Sequence, residues 1–155
     1  GCPMSLQSVQ AFLAEHAPEL KIEEAATSSA TVALAAEAFG VEPAQIAKTL
    51  SLRVGEKVFL VVAKGTARLD NKKARTAFGG KVKMLALEEV EAITGHPVGG
   101  VCPFGLAQLL PVYCDISIKE FDIVVPAAGS TNSSVRIAPD RLAEIAGAEW
   151  VDVCE

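Results

Sequence analysis

The segment Lys57–Lys64 constrains the fold more than any other. Between its two lysines it carries Val58-Phe59-Leu60-Val61-Val62-Ala63. Side chains of a strand alternate between faces, so six successive apolar residues put apolar groups on both. Such a strand belongs inside a sheet that is covered above and below. Directly before it, Lys48–Val54 is a second strand-like run, and the intervening Gly55-Glu56 marks a hairpin. A hairpin with one fully sandwiched strand needs further strands beside it and helices on both faces.

The remaining sequence supplies them. Ser5 to His16 reads as an amphipathic helix, with Ser5 as N-cap, Leu6, Val9 and Leu13 near one stripe, and Pro18 as the stop. Thr31 to Phe39 is a second helix, opened by the Ser28-Ser29 cluster and closed by Gly40. Pro43 suits the first turn of a short helix. Asp70 to Phe78 is a basic helix ended by Gly79-Gly80, followed by a short strand within Val82–Leu85. Leu87 to Ile93 is a helix with Glu88 and Glu89 placed to suit its dipole. Strands are expected at Val112–Ile116, Phe121–Val125 and Val135–Ile137, and a last helix from Pro139 to Ala146. Strands and helices do not alternate regularly, which excludes a doubly wound fold. The expected class is α+β: a single domain over residues 1–155, built on a mixed, largely antiparallel sheet curled toward a barrel, with helices outside. Gly1-Cys2-Pro3, ahead of Met4, read as a cloning remnant and are set aside.

Composition narrows the function classes. Half of the residues are hydrophobic, enough for a closed core, while aromatics make up only 5%. No apolar run reaches the roughly 18 residues of a membrane span. No basic segment followed by an apolar one opens the chain, so a cytoplasmic location is expected. Cys2, Cys102, Cys114 and Cys154 show no metal-binding spacing, and the two histidines lie far apart. No metal or cofactor is expected. A net charge of −5 argues against general nucleic-acid binding. Its distribution is uneven, however. Lys64, Arg68, Lys72, Lys73, Arg75, Lys81 and Lys83 fall within 20 positions against one acid, Asp70. That window is either a solvated face or a local phosphate-binding patch.

Lys48 departs from the pattern around it. Counting along its strand, Lys48, Leu50, Leu52 and Val54 share one face, and Thr49, Ser51 and Arg53 the other. The second face is expected to meet solvent, which leaves an ammonium on the apolar face. A buried, unpaired ammonium costs several kcal/mol. Lys48 therefore either snorkels out at the end of the sheet or faces a cavity, where it suits a carbonyl oxygen, carboxylate or phosphate.

Two loops are candidates to complete a site. Gly99-Gly100-Val101-Cys102-Pro103-Phe104-Gly105 is either a plain turn or a loop presenting backbone N–H groups to a developing oxyanion, with Phe104 lining a small apolar pocket. Gly129-Ser130-Thr131-Asn132-Ser133-Ser134 is either a turn or a hydrogen-bonding ligand wall. A Cys102–His96 nucleophilic pair is conceivable, but no orienting third group is marked, and Cys114 reads as a core residue.

These residues, in this order, resemble the YbaK family, which includes the editing domain inserted in bacterial prolyl-tRNA synthetases and its free-standing relatives. The matching pieces are Ala47-Lys48-Thr49-Leu50, then Thr94-Gly95-His96-Pro97-Val98-Gly99-Gly100-Val101-Cys102-Pro103-Phe104-Gly105, then Ala128-Gly129 through Ile137 and Pro139. The resemblance spans about residues 20–147 and implies a curled mixed sheet with surrounding helices.

It also implies an activity: hydrolysis of the ester in mischarged tRNA, with proline tRNA carrying a wrong small amino acid first in line, and without metal or protein nucleophile. By that analogy Lys48 anchors the substrate, and the amides around Gly99, Gly100 and Val101 polarise the ester carbonyl. Thr49, Pro103, Phe104, Gly129, Ser130, Thr131 and Asn132 are the expected substrate contacts, and from the basic window Lys64, Arg68, Lys72, Lys73 and Arg75 are the candidates for contact with the tRNA. The partners implied are aminoacyl-tRNA and prolyl-tRNA synthetase. Relatives that remove alanine carry a histidine in the Gly129 loop. Ser130, Thr131 and Asn132 stand there in this chain, which puts alanine specificity in doubt. Two readings compete with the deacylase: a non-catalytic module of the same fold that binds tRNA or a synthetase, and a small-molecule hydrolase using Cys102.

Overall fold

The computed structural model describes residues 5–155, so Gly1-Cys2-Pro3, and the reading of them as a cloning remnant, lie outside the described residues. Helix α1 (Ser5–His16) turns Val9 and Leu13 inward. A short strand β1 (Glu23–Glu24) precedes α2 (Val32–Phe39). A 3-10 turn at Pro43–Gln45 leads into β2 (Ile46–Val54), which folds back as β3 (Lys57–Lys64). Next come α3 (Asn71–Phe78), β4 (Lys83–Met84), α4 (Leu87–Thr94) and β5 (Val112–Asp115). After a second 3-10 turn at Ile116–Glu120 follow β6 (Val125–Pro126), β7 (Ser133–Ser134), α5 (Pro139–Ala146) and β8 (Glu149–Val151).

Strand β3 is sandwiched, as its composition requires. Leu60 and Val62 enter a core with Val9, Leu13, Phe104, Ile118 and Leu142. Phe59, Val61 and Ala63 enter a second core, with Leu52, Ala67, Ala74 and Val153. Each fully buried Val, Leu or Phe contributes about 1.5–3 kcal/mol, so this one strand ties two layers together. On the second face, Phe59, Phe78 and Tyr113 form a ring cluster with centroids 4.5–5.6 Å apart.

The main sheet runs in the order β4-β2-β3-β5-β8, with β6 also on β2, and β1 pairs β7 separately. Its longest ladder is the antiparallel β2–β3 hairpin, from Ala47↔Lys64 to Val54↔Lys57. The β2–β4 pair is antiparallel, while β2–β6, β3–β5 and β5–β8 are parallel. The class is α+β with a mixed sheet. The path ends at β4 and β8, so the sheet is open, not a closed barrel.

Several elements differ from the sequence pattern. Phe121–Val125 is not a strand, since only Val125–Pro126 pairs regularly. The chain leaves the sheet at Asp115, whose buried carboxylate accepts the N–H of Ser117 at 2.9 Å and of Val153 at 2.7 Å and starts the 3-10 turn. Val135–Ile137 contributes one isolated bridge, Val124↔Ile137, and the regular strand lies earlier, at Ser133–Ser134. Strands β1 and β8 have no counterpart in the sequence pattern, because two or three residues carry no readable alternation. Among the described residues no helix is long and apolar enough to cross a membrane.

Candidate active site

One edge of β2 is covered by β3 along its length; the other is shared by two short strands. Strand β6 takes Ile46 and Ala47, and β4 takes Leu52 and Arg53. The Leu85 N–H adds a bond of 3.0 Å to the Ser51 carbonyl. Between them, Lys48–Leu50 has no neighbour on that edge. Backbone groups of a strand alternate between its two edges, so Thr49, two residues from Ser51, turns its own N–H and C=O into this gap.

A cleft of about 240 Å³ opens there. One wall is β2, through Ala47, Lys48, Thr49 and Ser51; Ser29–Val32, Met84–Leu85, Leu87, Val90, Val98, Gly99, Val101 and Ala127 complete it. The volume lies below the roughly 300–1,000 Å³ of pockets for drug-sized ligands. It suits a small group such as an amino-acid side chain. The polar face of β2 therefore does not meet bulk solvent as its pattern suggested. Ser51 is buried, Thr49 faces the cleft, and Arg53 is paired at 2.8 Å with Glu89 of α4.

The glycine loop forms the opposite wall. Gly99 has φ +90°, a left-handed conformation, and a Cβ there would stand 2.8 Å from the Ala30 Cβ. A Cβ on Gly100 would meet the Ser130 backbone at 2.9 Å. The Gly100 N–H closes a turn onto the Pro97 carbonyl at 2.8 Å, and the Gly100 carbonyl accepts the Gly129 N–H at 3.1 Å. Gly100 is thus engaged by the scaffold on both sides and is not a free amide donor. The N–H groups of Gly99 and Val101 carry no hydrogen bond to another described residue, and both residues line the cleft.

Lys48 is half-buried on the opposite face of β2 from Thr49. Its ammonium donates to the carbonyls of Gly65, at 3.2 Å, and Ala67. Burial holds its pKa below the usual lysine range, with Cys154 opposing that shift and Arg68 reinforcing it. Neither of the two expected extremes applies: the ammonium rests on backbone carbonyls beside the cleft wall. Gly65 itself packs tightly on the turn before β2, where a Cβ would sit 2.1 Å from the Pro43 carbonyl oxygen.

Comparison with known proteins decides what such a cleft belongs to. Residues 26–145 match the aminoacyl-tRNA editing domain family. The chain belongs to that family. An uncharacterized protein of Bacillus subtilis, YwhH, is 49% identical over 98% of both chains. A candidate Cys-tRNA(Pro)/Cys-tRNA(Cys) deacylase of Enterococcus faecalis, EbsC, is 33% identical over 76% of this chain and 73% of its own. The proline–tRNA ligase of Shouchella clausii is 32% identical over 91% of this chain but only 26% of the ligase. The crystal structure of a candidate trans-editing enzyme for prolyl-tRNA synthetase superposes with a TM-score of 0.90 at 33% identity, covering 100% of this chain and 99% of that one.

Within this editing domain, several residues singled out from sequence lie away from the cleft. Phe104 is fully buried in the main core and stacks on Phe12 at 5.8 Å. Pro103 lines a separate cavity with Phe12 and Leu110. Gly129, Ser130, Thr131 and Asn132 stand behind the wall instead of forming it. The Thr131 carbonyl accepts the Ser29 N–H at 2.6 Å, and Asn132 exchanges two bonds with Ala25. Ser29, read from sequence as part of a helix-opening cluster, is the residue that reaches the cleft. The signal was present: Thr31 is the true cap, accepting the Leu34 N–H at 3.1 Å, which leaves Ser29 without that role.

Cys102 and His96 are neighbours, with Sγ 3.7 Å from Nε2, but they do not make a nucleophilic pair. Burial pushes the Cys102 thiol up to about 12. His96 is fully buried, and burial lowers its pKa. The Phe104 carbonyl can only accept, so Nε2 carries the proton and donates to it at 2.7 Å, and Nδ1 accepts from the Ser5 hydroxyl. His96 ties α1 to the glycine loop. Of the basic window, Lys64 is paired with Glu120 at 2.7 Å and Lys73 with Asp152 at 3.1 Å. Arg68, Lys72 and Arg75 are exposed.

Proposed function

We propose that this editing domain is a trans-acting hydrolase that removes a wrong small amino acid from mischarged tRNA, with proline tRNA as the first candidate. The observation that carries the reading is the cleft in the β2 edge, lined both by Lys48 and Thr49 of β2 and by Gly99 and Val101, whose N–H groups are unengaged among the described residues. The choice of proline tRNA rests on the relatives, one named for Cys-tRNA(Pro) and another a proline–tRNA ligase.

In this mechanism water attacks the ester carbonyl carbon. Negative charge develops on the carbonyl oxygen, and the Gly99 and Val101 N–H groups stabilise it. The bond to the terminal ribose breaks, and the ribose oxygen leaves as an alcohol, taking a proton that originates from the water. The Lys48 ammonium supplies positive charge beside the terminal adenosine and anchors it. It is not the base, since its proton is held on two carbonyls. Arg68, Lys72 and Arg75 contact the tRNA backbone, and the reaction takes place in the cytoplasm.

The test is single-turnover deacylation of proline tRNA charged with alanine, cysteine, serine or threonine. Release from at least one, reduced about 100-fold or more in Lys48→Ala, is expected. Salt-sensitive tRNA binding with no release from any substrate would overturn the hydrolase and favour a binding module.

A further inference from the structure

Two residues that line the cleft, Ser29 and Thr49, carry hydroxyls that ester hydrolysis as such does not account for. Ser29 Oγ and Thr49 Oγ1 are both buried, and neither has a hydrogen-bond partner among the described residues. Ser29 as a whole is 6% exposed. Both residues line the same cleft, from different walls. Their neighbours are engaged: Ser28 Oγ accepts the Ala30 N–H at 3.2 Å and Thr31 Oγ1 caps α2. The Ser29 backbone is pinned to Thr131, which fixes the point from which its side chain projects. A buried polar group without a partner is uncommon in a folded protein, because leaving it unpaired is unfavourable. Two of them on residues lining one small cleft, beside the open N–H and C=O of Thr49, suit a ligand group that enters between them and both donates and accepts.

We infer that Ser29 and Thr49 form a specificity pair that reads a hydroxyl on the amino-acid side chain, so that the preferred substrates carry serine or threonine rather than alanine. The inference rests on the deacylase reading and names the substrate class of the same cleft. Val32, Leu85 and Val90 supply an apolar wall opposite, which fits the carbon part of such a side chain. Alanine, with a methyl group where serine has a hydroxymethyl, leaves both protein hydroxyls unpaired, and sites of this kind reject the analogue lacking the polar group far more strongly than apolar pockets sort by size. A thiol is a weak donor and acceptor, so cysteine falls between the two.

The experiment compares single-turnover release of serine, threonine, cysteine and alanine from the same tRNA by the full chain and by Ser29→Ala, Thr49→Val and Thr49→Ser. The wild-type protein is expected to favour serine or threonine over alanine by about 100-fold or more. Ser29→Ala and Thr49→Val should each lower the seryl-to-alanyl ratio about tenfold, and Thr49→Ser, which keeps the hydroxyl, should restore most of it. Thermal melts identify any variant that fails to fold, in which case the wild-type ratio alone decides. Alanine released as fast as serine overturns the inference while leaving the hydrolase intact. Equal losses for all four amino acids in the variants also overturn it, since the hydroxyls would then hold a group common to every substrate. No release from any tRNA overturns the hydrolase and this inference together.

Discussion

Gly99–Val101 and Cys102–Gly105 are consecutive in sequence and opposite in character. In the first segment, Gly99 and Val101 line the cleft and keep their N–H groups unengaged. The second is anchored in the core: Cys102 and Phe104 are fully buried, Phe104 stacks on Phe12, and its carbonyl receives the His96 ring. A Cβ on Gly105 would collide with the Ser8 backbone at 2.6 Å, so α1 packs directly on this end of the loop. A loop that must present backbone donors at fixed positions cannot also satisfy them internally. Its rigidity has to come from the residues next to it. A motif that reads as one unit therefore divides into a half with open N–H groups at the cleft, the presenting half of the proposed mechanism, and a holding half.

That division can be broken at several points. The largest effect concerns Cys102. Burial pushes its thiol up to about 12, so it holds far less thiolate than an exposed cysteine. Peptide mapping after iodoacetamide treatment at pH 8 should find Cys102 unmodified in the native protein and modified after urea. Rapid native labelling with loss of deacylation would return the thiol hydrolase to contention.

Phe104→Ala comes next. It should lower stability by about 3–5 kcal/mol in urea unfolding. A change in substrate release with stability intact would instead place Phe104 in the ligand wall.

Gly99→Ala tests the presenting half. The left-handed backbone and the contact with Ala30 cannot accommodate a methyl group without movement, and a strained position of this kind costs about 1–3 kcal/mol. Deacylation should fall by about 10- to 100-fold, more than the shift in melting temperature explains. A rate equal to wild type would remove the Gly99 amide from the mechanism.

The smallest effect is expected at the exposed cations. Lys72→Glu with Arg75→Glu should weaken tRNA binding several-fold at low salt and less at high salt. Lys64→Ala, whose ammonium is already paired with Glu120, should change binding little. Equal effects from both would mean that pairing does not sort the basic window.

Much of this is legible in the sequence. Six apolar residues in a row demand a sandwiched strand, Gly55-Glu56 places the hairpin, and the glycines after α2 and α3 mark real helix ends. Lys48 stands out from the alternation of its own strand. What alternation could not reveal was the polar face of β2, because period two says which side chains share a face but not what covers that face. The short strands escape for a related reason: Glu23–Glu24 is held by pairing with Ser133–Ser134, not by its own propensity.

The sequence by itself determined the hairpin, the two-sided core and the residue types available for a site, since these follow from local periodicity, turn chemistry and burial. Tertiary structure alone decided where the candidate site lies. Two short strands from distant parts of the chain stop short of each other along β2, and the Thr131 carbonyl pins Ser29 into the opening between them. An edge left unpaired, and a hydroxyl left without a partner, are properties of what neighbours are present, and no single segment encodes its own neighbours.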